Sequence, residues 1–507
     1  RSLIDIEPGQ KAPAAASWVI PYITDYGRIY AFYTFNGDNI VFKPHSTLLG
    51  WYCFKYSDDN GRTWSHRYRI PLRKTTVDYF NQWHGSVQNF WGISKPLTVK
   101  GNMYFSFSKI LRGGSDEGIT EGWLFKSDYI NTEKDAGKLH WQLLPDGETG
   151  ICATELGPVQ EEHNIVSLKN GDLFCVYRTA TGFIGKSYSR DGGHTWSKPD
   201  FLRYPDGRVV KHPRACPRLF QSANGKFLLW FHNNNGIKSP HDFRFRNPAW
   251  ISGGVEKDGR IQWSQPEILL YDRDTAAGMS YPDLIEENGR FWVTETQKKI
   301  ARIHPVDKNL LEGVWNQFSA RGVVQNGLVS EKKNISGSLS LNTGKLPGLK
   351  DGGFSIELWL NLKELVAGQI ILDNRNVLGK GIWIETTPQK TLQLSMSEGT
   401  NTNGDSVISD GWDTDPGAVQ AGKLQHVLFV VDGAANIMTC IVNGKFCDGA
   451  RYRNFGWSRI SEKMDDVNGM SQFRIPDGLS GQIREIRIYN RYLTTSEAIS
   501  NFHAGPQ

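Results

Sequence analysis

Up to about residue 320 the chain is written in short runs of alternating apolar and polar residues. Examples are "RIYAFYTF" (28–35), "GDLFCVYR" (171–178), "GKFLLWFHN" (225–233) and "GRFWVTET" (289–296), each entered through a turn-forming residue. Alternation sends successive side chains to opposite faces, so these runs predict half-buried strands. Few stretches show a helical apolar period. Many short strands at regular spacing, separated by turn signals, predict a sandwich, barrel or propeller.

A repeated octapeptide selects among these. "SDDNGRTW" (57–64) and "SRDGGHTW" (189–196) both fit Ser-x-Asp-x-Gly-x-Thr-Trp. Each predicts a hairpin turn in which Asp accepts backbone hydrogen bonds, Gly supplies a positive φ and Trp packs between sheets. Weaker echoes are "KDAGKLHW" (134–141) and "EKDGRIQW" (256–263). The marker residues Trp64, Trp141, Trp196, Trp263 and Trp315 are spaced by roughly one four-stranded blade, somewhat longer than the ~40–45 residues of a compact blade repeat. Such repetition fits a propeller.

The octapeptide resembles the Asp-box of the sialidase (neuraminidase) superfamily. The resemblance implies a six-bladed β-propeller over residues 1–318, with the Asp-box on the outer rim as scaffold. Beyond residue 320, "GGFSIELWLNL", "LQHVLFVVDGAANIMTCIVNGKF" and "GLSGQIREIRIYNRYLTTSEA" resemble a laminin-G or concanavalin A-like jelly-roll β-sandwich, expected over 319–507. The expected fold class is therefore all-β, a six-bladed propeller followed by a jelly roll. The second domain either binds glycans or braces the propeller.

Composition narrows the functional classes. The chain has 507 residues, 39% hydrophobic and 22% charged, and no apolar run near the ~20 residues of a membrane span. Aromatics make up 12%, with 17 Trp, a mixture that suits turn-rich β proteins and sugar-binding clefts. A net charge of +5 without a Lys/Arg block gives nucleic-acid binding little support. The six cysteines contain no C-x-x-C pair, which argues against a zinc ribbon or a thioredoxin-like site. Cys440 and Cys447 flank a hairpin turning at Asn443-Gly444, where either a disulfide or two buried thiols fit. The chain opens at Arg1 without a signal-peptide pattern, as expected of a mature secreted chain or a cytosolic one.

Relatives in the resembled family use a Tyr nucleophile, a Glu that activates it, an Asp acid/base and three Arg that hold a carboxylate. A neutral Tyr avoids the repulsion that a carboxylate nucleophile would meet at an anionic ketoside. In "EEHNIVSLKNGDLFCVYR" the resemblance places the activating residue at Glu162, with Glu161 as its rival, and one carboxylate-binding residue at Arg178. In "GMSYPDLIEENGRFWVTET" it places the nucleophile at Tyr281, with Glu295 as a support. Arg246 matches the third family Arg, with Arg244 two residues away on the same strand face. The first family Arg is replaced by Val19 in "SWVIPYITDYGRIY", which cannot make bidentate contacts with a carboxylate. Asp38 is the nearest candidate for the acid.

Four histidines, His84, His163, His212 and His232, stand at ends of predicted strands, where propeller mouths collect polar groups. With Arg214 and Arg218 nearby they predict a pocket for an acidic sugar, Arg214 replacing the lost cation. These readings predict an exo-glycosidase that releases a terminal sialic, ulosonic or uronic acid with retention of configuration. A polysaccharide lyase using Tyr281, His163 and Arg178, or a glycan-binding protein without catalysis, are the competing readings. No cofactor or metal is called for. The expected partner is a glycan, with no nucleic acid and no membrane span, and the expected state is a monomer in a secreted or periplasmic setting.

Overall fold

In a computed structural model, which describes residues 16–41, 49–111, 119–236, 243–296, 300–335, 337–400 and 408–507, the alternating runs form strands. Residues 16–306 fold into five successive antiparallel sheets, each starting a new group of consecutive strands. Strands of the second to fifth sheets meet one another. Gln160–Ser167 touches Asn102–Ile110 on one side and Arg218–Gln221 on the other, and Arg218–Gln221 touches Ser280–Glu287. Arg218 ties this centre together by donating from Nη1 to Asn164 Oδ1 at 2.7 Å and to the Ile93 carbonyl at 3.0 Å.

The fold class is all-β, a propeller-type array followed by a jelly roll, and the described residues supply five of the six blades expected. After the fifth sheet the chain forms the helix Lys308–Asn316 instead of further strands. Trp315, expected as a blade marker, belongs to that helix. Leu311, Val314 and Trp315 recur at helical spacing and are buried, while Asp307 caps the N-terminus by accepting from Asn309 N–H at 2.9 Å.

The two octapeptides fold alike. Asp59 accepts from Thr63 N–H at 2.9 Å and from Ser57 Oγ at 2.7 Å, and Gly61 N–H donates to Ser57 Oγ at 2.8 Å. Asp191 repeats this with Thr195 N–H at 2.9 Å and Ser189 Oγ at 2.8 Å, and Gly193 N–H donates to Ser189 Oγ at 2.8 Å. In each turn the Asp and Ser side chains are taken up by the turn itself. The repeat is scaffold.

From Leu328 onward two sheets face each other across a core that includes Leu358, Ile384, Leu394, Val427, Phe473 and Ile486. One surface of this sandwich shares a second core with the fourth sheet, where Leu229 and Trp250 belong to the same cluster as Leu428, Ile441 and Tyr489. Polar anchors surround it. Glu267 accepts from Thr495 N–H at 2.9 Å and from Ser496 N–H at 2.6 Å, at the first turn of the helix Thr495–Ala504. Arg208 pairs with Asp448 at 3.1 Å. The six cysteines are free thiols, with Cys440 and Cys447 both buried. No helix among the described residues is long and apolar enough to cross a membrane.

Candidate active site

Three sheets interrupt their first strand in the same way. The register slips between Ser17 and Ile20, between Glu161 and Asn164, and between Ser280 and Asp283. At each slip a non-glycine residue takes a left-handed backbone: Trp18 (φ 60°), Glu162 (φ 60°) and Tyr281 (φ 50°). A β-bulge re-aims a side chain, and a left-handed non-glycine residue costs about 1–3 kcal/mol unless its surroundings hold it. At Glu162 they do. Its N–H donates to Ser108 Oγ at 3.1 Å, and its carbonyl accepts from Asn164 Nδ2 at 2.7 Å.

The bulge turns both glutamates toward the site. Strand alternation predicts that only one of Glu161 and Glu162 points inward, yet both carboxylates reach Arg178, because the slip breaks the two-residue period. Arg178 Nη2 lies 2.8 Å from Glu161 Oε1, and Nη1 lies 2.8 Å from Glu162 Oε1. Tyr281 Oη donates to Glu162 Oε1 at 3.1 Å. Arg214 Nη2 reaches Glu161 Oε1 at 2.9 Å. Arg246 completes the group, donating from Nη1 to Ser280 Oγ at 2.8 Å and from Nη2 to the Arg214 carbonyl at 3.0 Å.

All three arginines and both glutamates are buried, whereas Tyr281 is only partly covered. With both carboxylates ionised the cluster keeps one unit of positive charge. Burial holds the Glu162 pKa above the usual carboxylate range, with Arg178 opposing it. Burial also pushes the Tyr281 phenol up, Glu162 adds to this, and Arg178 and Arg246 oppose it. Burial weighs against the charge on Arg178, but Glu161 and Glu162 outweigh it and strengthen its proton affinity. Burial lowers the pKa of Arg246, with Tyr281 opposing.

Val19, in the place of the first family arginine, is 60% exposed. The bulge position beside it belongs to Trp18, whose ring lies 5.5 Å from Trp91. Trp91 in turn lies 5.4 Å from the Arg178 guanidinium. An indole wall thus stands next to the arginines. Phe243 adds a second aromatic face, 4.5 Å from the Arg214 guanidinium. The sequence reading did not single out Trp18, Trp91 or Phe243; the signal for Trp18 was its position one residue before Val19.

Three of the expected sugar-binding histidines are corrected to structural groups. His163 is buried, with Nδ1 3.3 Å from Ser108 Oγ, Nε2 3.2 Å from the Ile151 carbonyl, and its ring stacked 4.4 Å from Tyr177. Burial lowers its pKa to about 3. His212 faces the Ala215 carbonyl at 2.8 Å and accepts from His232 N–H at 3.2 Å, and burial lowers its pKa to about 3 as well. His232 meets the Pro248 carbonyl at 3.2 Å, and burial holds it neutral. A backbone carbonyl meets one nitrogen of each ring, while His232 Nε2 has no partner among the described residues. His84 is exposed on a turn and makes no hydrogen bond to the cluster.

Asp38 is also exposed, and its carboxylate accepts from Trp51 Nε1 at 3.1 Å rather than meeting Tyr281 or Glu162. Glu295 is buried, with Oε1 3.4 Å from His304 Nε2. Arg244 is exposed and lies over Phe245, so Arg246 alone of that pair enters the cluster.

A family model described as the BNR repeat-like domain matches residues 13–293, more than half of the chain. The chain belongs to the BNR repeat-like family. A second model, the concanavalin A-like lectin/glucanases superfamily, matches residues 333–498. Together they bear out the resemblance drawn from the octapeptides and the later strands. Every candidate residue named above for chemistry lies in the BNR-matched segment except Glu295 and His304, just beyond its end. No curated protein matches the chain.

Solved structures similar to it include a Trypanosoma rangeli sialidase in complex with 2,3-difluorosialic acid, described as a covalent intermediate. It has 12% identity over 98% of this chain and 94% of that one, at a TM-score of 0.35. A protein of unknown function from Dyadobacter fermentans has 13% identity over 57% and 75%, at 0.41. The Hadza microbial sialidase Hz136 has 17% identity over 59% and 53%, at 0.40. Superposition at these scores is too loose to carry an argument about activity.

Proposed function

We propose that the protein is an exo-glycoside hydrolase that releases a terminal acidic sugar from glycans through a tyrosine nucleophile. The hydrogen bond from Tyr281 Oη to Glu162 Oε1 at 3.1 Å, set among three buried arginines, carries this reading. A phenol is a weak nucleophile until a base takes its proton, and a carboxylate whose pKa is raised by burial is a stronger base for that task.

In this mechanism Arg178, Arg214 and Arg246 draw the sugar's acid group to the floor of the site. Glu162 takes the proton of Tyr281 as Oη attacks the anomeric carbon. The leaving oxygen takes its proton from solvent, because Asp38, the acid expected from the sequence, is turned to Trp51 and not to the reacting pair. Water then attacks the anomeric carbon, gives up a proton to solvent and breaks the Tyr281–sugar bond, and Glu162 returns its proton to the phenolate. Two displacements retain the anomeric configuration. Arg214 stands in for the cation absent at Val19, so the acid group need not lie as in enzymes with the first arginine. Sialic acid and related ulosonic or uronic acids are the candidate sugars. A secreted or periplasmic setting, where such glycans are met, belongs to the same proposal.

The lyase reading needs a histidine that exchanges protons, and His163, neutral down to about pH 3 with both ring nitrogens engaged, does not suit that role. The test is a release assay on α-linked sialosides and uronate-capped oligosaccharides, with products identified by mass. Release of the intact sugar, abolished by Tyr281→Phe, is expected. A product lighter by one water overturns the hydrolase, and silence across the panel overturns the enzyme reading.

A further inference from the structure

Beside the arginine cluster lies a cleft of about 630 Å³ whose walls come from both domains. The first domain contributes Phe243–Asn247 and Thr275–Gly278; the sandwich contributes Phe455 and Trp457–Arg459. The two walls are fixed to each other. Asn234 bridges Phe455 in antiparallel fashion, Asn235 N–H donates to the Asn454 carbonyl at 3.1 Å, and Arg459 Nη2 donates to the Asn247 carbonyl at 2.8 Å.

Three features give the cleft a ligand chemistry. Arg244, Arg246 and Arg459 line it, and no described Asp or Glu does. Phe245, Phe455 and Trp457 form a connected aromatic wall, with centroids 5.4 Å and 4.9 Å apart, of the kind that packs on sugar faces. Trp457 is 7% exposed, and its indole N–H has no hydrogen-bond partner among the described residues. A buried donor without a partner is costly, and a ligand oxygen would satisfy it. The volume suits a small-molecule site, which spans about 300–1,000 Å³.

The cleft also continues the reacting centre. Arg246 belongs to both, holding Ser280 beside Tyr281, and the cleft wall ends at Gly278, just before that strand. We propose that this cleft takes the glycan on the leaving-group side of the cleaved bond, and that this segment carries carboxylate or sulfate groups. The sandwich would then complete the substrate site through Trp457 and Arg459 as well as bracing the blades. The assignment of the leaving-group side rests on Tyr281 and Glu162 being the reacting pair; the binding chemistry does not.

The experiment uses the full chain carrying Tyr281→Phe and titrates three trisaccharides calorimetrically: one bearing uronates, one bearing sulfates and one neutral. Each has a neutral sugar at its non-reducing end and carries its acidic groups on the other two residues, so the reacting centre, which takes a terminal acidic sugar, is not probed. At least one acidic trisaccharide should bind about tenfold or more tightly than the neutral one, the difference shrinking as salt is raised. Arg459→Gln should weaken that binding about tenfold. Ala276→Trp, a substitution at an exposed loop position that fills the cleft, should do at least as much and decides the matter if Arg459→Gln fails to fold. Binding of only the uronate or only the sulfate ligand supports the proposal and names the group. No preference for either acidic ligand, or unchanged binding in both variants, overturns it. Failure of the hydrolase reading would appear separately, as wild-type silence in the release assay.

Discussion

Replacing Glu162 by Gln keeps the shape of the side chain and removes its ability to take a proton. Glu162 Oε1 receives the Tyr281 hydroxyl at 3.1 Å and pairs with Arg178 at 2.8 Å, so the substitution touches both nucleophile and anion floor. The two effects separate in kinetics. Loss of a positioned general base costs about 10²–10⁴ in rate, or about 2.7–5.4 kcal/mol in barrier height. Arg178 keeps Glu161 at 2.8 Å, and Arg214 and Arg246 are unchanged, so KM should move by less than about tenfold. Folding stability should fall by about 1–3 kcal/mol, the usual scale for weakening one buried charge-assisted hydrogen bond. The assay is steady-state release of the sugar across pH, beside thermal melting of the same protein. Because the Glu162 pKa is raised above 4.5 and the base works ionised, wild-type kcat/KM should decline on the acid side at a pH above that value. Glu161→Gln is the control, since among the described residues the Glu161 carboxylate pairs with arginines and not with Tyr281. The reasoning is refuted if Glu162→Gln keeps kcat within about threefold, or if Glu161→Gln costs more in kcat than Glu162→Gln does.

Further outcomes follow from the same structure. In the unfolded chain His163, His212 and His232 protonate near pH 6.5, but in the fold they stay neutral, to about pH 3 for the first two. The unfolded state therefore binds more protons in that window, and stability is lost as pH falls from about 6.5 toward 3. Each histidine adds up to about 1.4 kcal/mol per pH unit, readable as a shift in urea midpoint between pH 7 and pH 4. Asp191→Ala should cost about 1–2 kcal/mol by opening the second octapeptide turn, leaving kcat/KM unchanged when assayed well below the melting point. Arg214→Gln should raise KM for the acidic substrate about tenfold or more with a smaller change in kcat, if it replaces the cation missing at Val19. Glu267→Ala strands the buried N–H groups of Thr495 and Ser496 and should cost about 3 kcal/mol, with earlier proteolytic release of the sandwich as its mark.

The strands and the rim turns were legible because their signals are local. Alternation, turn glycines and the Ser-x-Asp-x-Gly-x-Thr-Trp frame each act within a few residues of where they are written. That Tyr281, Glu162, Arg178, Arg246 and Arg214 lie together was also legible, four from family position and Arg214 from chemistry alone. The bulges were not. A left-handed Glu or Tyr carries no sequence mark, since the partners that hold it, such as Ser108 for Glu162, come from another strand. The histidines misled for a related reason. A His at a strand end reads as a mouth residue, and only the tertiary structure shows Ile151, Ala215 and Pro248 carbonyls closing over the rings. Trp315 was read as a blade marker by its spacing, although Leu311 and Val314 beside it already follow a helical period. The cleft at Trp457 and Arg459 joins residues more than 200 positions apart from Arg246, and no local pattern encodes that meeting.

The central claim is a covalent bond between Tyr281 and the sugar. Once the release assay has named the sugar, its derivative with fluoride as the anomeric leaving group and fluorine on the adjacent carbon, which slows turnover of the glycosyl-enzyme, should trap that bond for peptide mass mapping. The account predicts a single label on Tyr281, absent from Tyr281→Phe. A label on Glu161 or Glu162, or turnover of the ordinary substrate with inverted configuration and no trapped species, would contradict it.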